Sequence, residues 1–182
     1  MSGNQECDKA REMQEYSLLH VLIDNIPYML VGLLGAAILL WGIGFTMWGW
    51  ITAAAFIAYT AGGTLWFIIF ICPYCHFFGT RSCPCGYGVI AARFREKSEI
   101  EKFNEKFKQH IPVIFPLWIV PPVAGTIFLV RDFTWLMLIL LLLFAFDAFV
   151  ILPLVSRMYG CAHCPQKEDC PWMVKKTGSG QR

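Results

Sequence analysis

Residues 26–71 read IPYMLVGLLGAAILLWGIGFTMWGWITAAAFIAYTAGGTLWFIIFI, and they lie inside a longer run, 25–80, without Asp, Glu, Lys or Arg. Crossing a bilayer once takes about 20 apolar residues. A charge-free run of 56 residues is therefore long enough to cross twice with a turn between. The turn falls near Thr46–Gly49, where Gly42, Gly44, Trp48, Gly49 and Trp50 cluster. Glycine loosens a helix, and tryptophan favours the membrane–water interface. The first span is thus Ile26 to about Thr46 and the second Trp50 to Ile71.

Two further spans follow, about Ile111–Val130 and Phe133–Val155, separated only by Arg131-Asp132. The expected fold is all-α and integral to the membrane. Four transmembrane helices form two hairpins over a cytoplasmic cysteine-rich metal module. The segments are a tail at 1–25, spans at 26–71, a cysteine-rich loop at 72–110, spans at 111–155 and a second cysteine-rich tail at 156–182. The first 25 residues carry Glu6, Asp8, Glu12, Glu15 and Asp24 and no early apolar core, so no secretory leader is expected there. Ser17–Ile23 can begin an interfacial helix.

The whole chain agrees with this reading. Of its 182 residues, 57% are hydrophobic and 15% charged. Soluble domains carry about 25% charged residues. A soluble enzyme, a disordered chain and a disulfide-stapled secreted domain are excluded. A net charge of +2 gives no footprint for nucleic acid. Basic residues set the orientation. Fourteen of the 15 lie in the two tails and the 72–110 loop, leaving Arg131 alone on the other side. By the positive-inside rule, both tails and the loop are cytoplasmic, and the protein sits in the cytoplasmic (inner) membrane.

Seven of the eight cysteines cluster where spans meet the cytoplasm: Cys72-Pro-Tyr-Cys75-His76, Cys83-Pro-Cys85-Gly86, Cys161-Ala-His163-Cys164 and Cys170, with Cys7 apart. The cytoplasm is reducing, so paired C-x2-C spacings there point to metal ligands rather than disulfides. One site can use Cys72, Cys75, Cys83 and Cys85. A second can use Cys161, Cys164 and Cys170 with His163 or Cys7. Mixed ligation is equally open, and His76 is a further candidate. Thiolates in this number suit an Fe–S cluster or zinc. The spans hold no histidine, which excludes a haem held by two imidazoles between helices.

Three features remain in the helices. Asp147 lies within the fourth span. An intramembrane carboxyl is costly, which makes Asp147 the candidate proton relay, ion site or quinone-head contact or, alternatively, a hydrogen-bond partner of Tyr59, Thr60 or Thr64. Ala54, Ala58 and Gly62 form a small-residue stripe suited to helix packing or, alternatively, to a dimerisation face. Pro121-Pro122 should kink the third span. In the loop, Arg93–Gln109 reads as an amphipathic helix with Arg95–Glu99 and Lys97–Glu101 pairs. No catalytic constellation is legible. The expected role is an electron-transfer subunit whose partners are the bilayer and a cytoplasmic redox protein or quinone. The alternatives are a zinc-tied membrane scaffold and a small transporter built on Asp147.

Overall fold

The computed structural model describes residues 16–160. Within them the chain forms four helices long and apolar enough to cross a membrane: Leu18–Ile43, Met47–Tyr74, Ile100–Arg131 and Trp135–Met158. The regular helices within these are α1 (Leu18–Ile43), α2 (Met47–Phe70), α4 (Phe103–His110), α5 (Phe115–Arg131), α6 (Trp135–Phe146) and α7 (Leu152–Val155); a short α3 (Tyr87–Ala91) lies in the loop between the second and third spans.

Three of the four spans, the first, second and fourth, begin on a side chain that caps them. The Ser17, Thr46 and Thr134 hydroxyls accept from the backbone N–H groups of His20, Gly49 and Met137. Such caps satisfy donors that have no partner inside the helix. The Ser17 cap starts α1 ahead of Ile26, so Asp24 and Asn25 lie inside the first helix rather than in a tail. The turn at 44–46 depends on Gly44 at φ 89°, a left-handed conformation that a side chain disfavours.

Helix α1 is the centre of the bundle and packs against α2, α5 and α6. One core cluster joins Val31 and Ile38 to Met137, Phe144, Ala148 and Leu152. A second joins Ala36 and Leu39 to Ala53, Phe56 and Leu117. Close approach is possible because Gly35 leaves room for Phe56 and the Pro121 ring. Leu33, Leu136, Leu142 and Leu143 point outward. In a bilayer those side chains meet lipid, which is as apolar as they are.

The structure departs from the sequence reading at three places. The stripe Ala54, Ala58 and Gly62 is exposed, and a Cβ on Gly62 would meet nothing within 4 Å. The inward face of α2 is instead Gly49, Ala53, Phe56 and Gly63. The loop helix is shorter than expected. Ser98 N–H donates to the Pro73 carbonyl at 2.9 Å, and Glu99 is extended at φ −66°, ψ 117°. Residues 95–99 are thereby held out of a helix, so Glu99 pairs with Lys102 at 2.8 Å rather than with Arg95. The third departure concerns Asp147. Its expected partners bond elsewhere: Thr60 to Phe56 O, Thr64 to Thr60 O and Tyr59 to Val113 O.

Asp147 is buried and opens a π-helical segment, Asp147–Ile151. Pro153, which has no N–H to give, follows close behind in α7. Among the described residues neither carboxyl oxygen of Asp147 has a hydrogen-bond partner. An unmatched buried polar group costs about 1–3 kcal/mol. Asp147→Leu is therefore expected to stabilise the protein by about that amount, whereas Asp147→Asn, of the same shape, should fold as the parent does. Thermal melts in detergent check both. A lower melting temperature for the leucine variant would reveal a partner that holds the carboxyl in place.

Candidate thiol site at the end of the bundle

The second span runs directly into the first cysteines. Ile71 caps α2, and Cys72–Tyr74 forms a tight 3-10 turn with buried Pro73 inside it. Cys75 N–H closes this turn on Cys72 O at 3.0 Å, and Phe78 N–H bonds Cys75 O at 3.1 Å. The chain then reverses through Gly79, at φ 74°, whose N–H reaches Gly88 O at 3.0 Å. That bond clamps the 83–88 segment against the 72–79 segment.

Cys83-Pro-Cys85-Gly86 makes the second turn, with Gly86 N–H on Cys83 O at 3.0 Å and Gly86 at φ 76°. The buried Cys83 sulfur accepts the Gly88 N–H at 3.3 Å. Its pKa falls to about 7, chiefly through the hydrogen bond from the Cys85 side chain and further through the backbone N–H groups of Gly88, Gly86 and Cys85. Donors aimed at a sulfur favour its thiolate form. The paired Cys85 shifts the opposite way, well above the ordinary thiol range, because its proton is held on the Cys83 sulfur and because it is buried.

The first helix completes the site. Asn25 Nδ2 donates to Cys85 O at 3.1 Å, and Tyr87 Oη donates to Asn25 Oδ1 at 2.6 Å. Asp24 lies within hydrogen-bond reach of the Cys85 thiol. Burial raises the Tyr87 phenol pKa, so Tyr87 stays a donor at neutral pH. Lower in the bundle, the Tyr28 and Ser156 hydroxyls meet at 3.2 Å and link the first and fourth spans.

Cys72, Cys75, Cys83 and Cys85 all border one cavity of about 290 Å³ between the helices, and Asp24 and Tyr28 border it too. His76 does not line it; its ring stands edge-on to Phe77, with centroids 6.2 Å apart. Cys7, Cys161, His163, Cys164 and Cys170 lie outside the described residues. Among the described residues, no group of three or more His, Cys, Asp or Glu side chains gathers closely enough to hold a metal ion. The four thiols share one neighbourhood but do not converge on one point.

Asp24, Asn25, Tyr28 and Tyr87 were not among the sequence candidates. Asp24, Tyr28 and Val31 do recur at i, i+4 and i+7, the spacing of one helix face. That signal was available in the sequence, but it becomes readable only when α1 is known to begin at Leu18.

Comparison with protein-family models, with curated proteins and with solved structures finds no match. The four apolar helices define the class on their own: an all-α integral membrane protein. The thiol-lined end of its bundle is the candidate functional site.

Proposed function

We propose that the protein is a membrane-embedded electron-transfer subunit with an Fe–S centre bound by thiolates at its cytoplasmic end. The observation that carries this reading is the pair of Cys-Pro turns on one cavity wall, with backbone N–H groups directed at the Cys83 sulfur. Hydrogen bonds to sulfur are among the features that set the potential of thiolate-bound iron. The described thiols do not close a site unaided, which favours mixed ligation with Cys161, Cys164 and Cys170. Electrons would pass between a cytoplasmic redox protein and a quinone. Asp147 remains the candidate for proton movement, and unchanged turnover in Asp147→Asn would withdraw that role.

Anaerobic purification with metal analysis and an absorption spectrum tests the reading. A brown protein with iron and sulfide is expected. A colourless protein carrying zinc supports the scaffold reading instead, because zinc has no redox chemistry. Cys75→Ser and Cys164→Ser should each lower metal content. Metal binding contributes folding energy where no closed site preexists. Each substitution should therefore also increase proteolysis of the opposite cysteine segment, and a purely local effect would indicate two independent sites.

Orientation has its own test. A membrane-impermeant thiol reagent applied to intact cells should label none of the eight cysteines, in line with the positive-inside bias. Labelling of any native cysteine reverses the assignment.

A further inference from the structure

The cavity behind the cysteines has a composition that selects its occupant. Its wall is mostly apolar and aromatic, including Phe67, Phe103, Phe107 and Trp118. Among the described residues Lys, Arg and His are absent from that wall, so none of them offers a cation to hold a phosphate or carboxylate. The hydroxyls in the wall are already engaged: Thr60 and Thr64 donate to carbonyls of their own helix, Tyr87 donates to Asn25, and Tyr28 meets Ser156.

One wall group stands apart. Asp24 is 4% exposed, and among the described residues its Oδ1 has no hydrogen-bond partner. An acceptor left unmatched in an apolar enclosure is costly, and a donor from a ligand offsets that cost. A neutral donor does so without requiring a charged carboxylate among aromatic rings. Binding cavities commonly measure about 300–1,000 Å³. At about 290 Å³ this one suits a single ring system rather than a large cofactor.

We propose that this cavity binds the hydroxylated ring of a quinol, stacked among the aromatic side chains, with Asp24 Oδ1 accepting the hydrogen bond of a ring hydroxyl. The proposal rests on the electron-transfer reading for its purpose, since it names the membrane partner. Its geometry does not depend on a bound metal. Cys72, Cys83 and Cys85 border the same space, so a ring held there lies beside the candidate electron site.

Gly63 provides a way to close the cavity. It lines the space, and a Cβ added there would meet Ile114 Cγ2 at 3.6 Å and Leu117 Cδ1 at 3.8 Å, both ordinary contacts. Alanine at this position should be tolerated, while a leucine side chain would extend into the cavity.

The test uses the full chain in nanodiscs of synthetic phospholipid free of quinone. The probe is a heptyl hydroxyquinoline N-oxide, a redox-stable fluorescent mimic of a quinol. Saturable quenching at one probe per chain is expected for the parent and for Gly63→Ala. Gly63→Leu should abolish it, and Asp24→Leu should weaken it about tenfold, the value of one hydrogen bond to a carboxyl group. Helical content of each variant is compared with the parent. If Gly63→Leu does not fold, the Asp24→Leu titration decides. No saturable quenching in the parent, or parent-like affinity in folded Asp24→Leu or folded Gly63→Leu, overturns the proposal. Tetraphenylphosphonium carries a charge and no donor and should not displace the probe; displacement would reassign the cavity to organic cations. Iron and zinc are measured in the same preparations. Binding without metal removes the electron-transfer reading alone, and metal without binding removes this site alone.

Discussion

Gly88→Ala is expected to dismantle the cysteine loop. A Cβ at this position would overlap the carbonyl oxygen of Phe77 and lie 3.2 Å from Cys83 Cβ. The Phe77 carbonyl has little freedom to move, because Thr80 holds it through both its N–H, at 3.2 Å, and its hydroxyl, at 3.0 Å. Gly88 is itself fixed at both ends. Its N–H donates to the Cys83 sulfur at 3.3 Å, and its carbonyl accepts Gly79 N–H at 3.0 Å. Relief of the overlap must break one of these bonds. Overpacking in such a setting costs about 1–3 kcal/mol, and a lost hydrogen bond to a charged sulfur adds about 1.5–3 kcal/mol. Faster proteolysis between the second and third spans is the first readout. The second is the Cys83 titration in metal-free protein, taken as the difference in thiolate absorbance between each protein and its Cys83→Ser counterpart. The parent midpoint is expected at about 7. With a donor removed, the thiolate is less favoured and the midpoint rises towards 9, the ordinary thiol value. A midpoint that stays near 7 would mean that Gly88 is not part of the sulfur cradle.

The spans were legible because the bilayer imposes a coarse rule. The charge-free run 25–80 is long enough to hold two membrane helices, and the turn read from Gly and Trp near Thr46–Gly49 lies at 44–46. The Arg131-Asp132 break likewise falls between α5 and α6. The inward faces were not legible. Lipid and protein interior are equally apolar, so polarity does not separate Ala54, Ala58 and Gly62, which face outward, from Gly49, Ala53 and Gly63, which face inward. The loop helix failed for a different reason. Its charges sit at helical spacing, but the Ser98–Pro73 bond, which joins residues far apart in sequence, pulls the chain straight. At the thiol site, spacing singled out Cys72, Cys75, Cys83 and Cys85, and the structure brings those four to the border of one cavity. The groups around the sulfurs come from elsewhere. Gly88 reaches Cys83 by backbone alone, which no residue type announces, and Asp24 and Asn25 arrive from a helix sixty residues upstream of Cys85.

Gly49→Ala should separate the first hairpin, and its effect is best judged against Gly62→Ala on the same helix. At Gly49 the added Cβ would overlap the Gly44 carbonyl oxygen and approach Leu40 Cδ1 to 3.3 Å. That carbonyl belongs to the turn itself: it accepts Thr46 N–H at 2.8 Å, and Thr46 in turn caps α2 through Gly49 N–H at 3.2 Å. The obstacle is backbone rather than the end of a flexible side chain, so the turn must open or α2 must shift along α1. A shift of α2 is transmitted to the other end of the bundle, because Cys72 and Cys75 follow directly from its last residues. A loss of about 3 kcal/mol or more is expected, at the upper end for an overpacked site, together with weaker clamping of the cysteine loop. At Gly62 the same methyl group meets nothing within 4 Å. There the variant should match or exceed the parent by up to about 1 kcal/mol, the difference in helix propensity between glycine and alanine. Parallel thermal melts in detergent separate the two outcomes. Equal melting temperatures for the two variants would mean that the 44–46 turn can rearrange without cost, and that α2 is not held in register by its first turn.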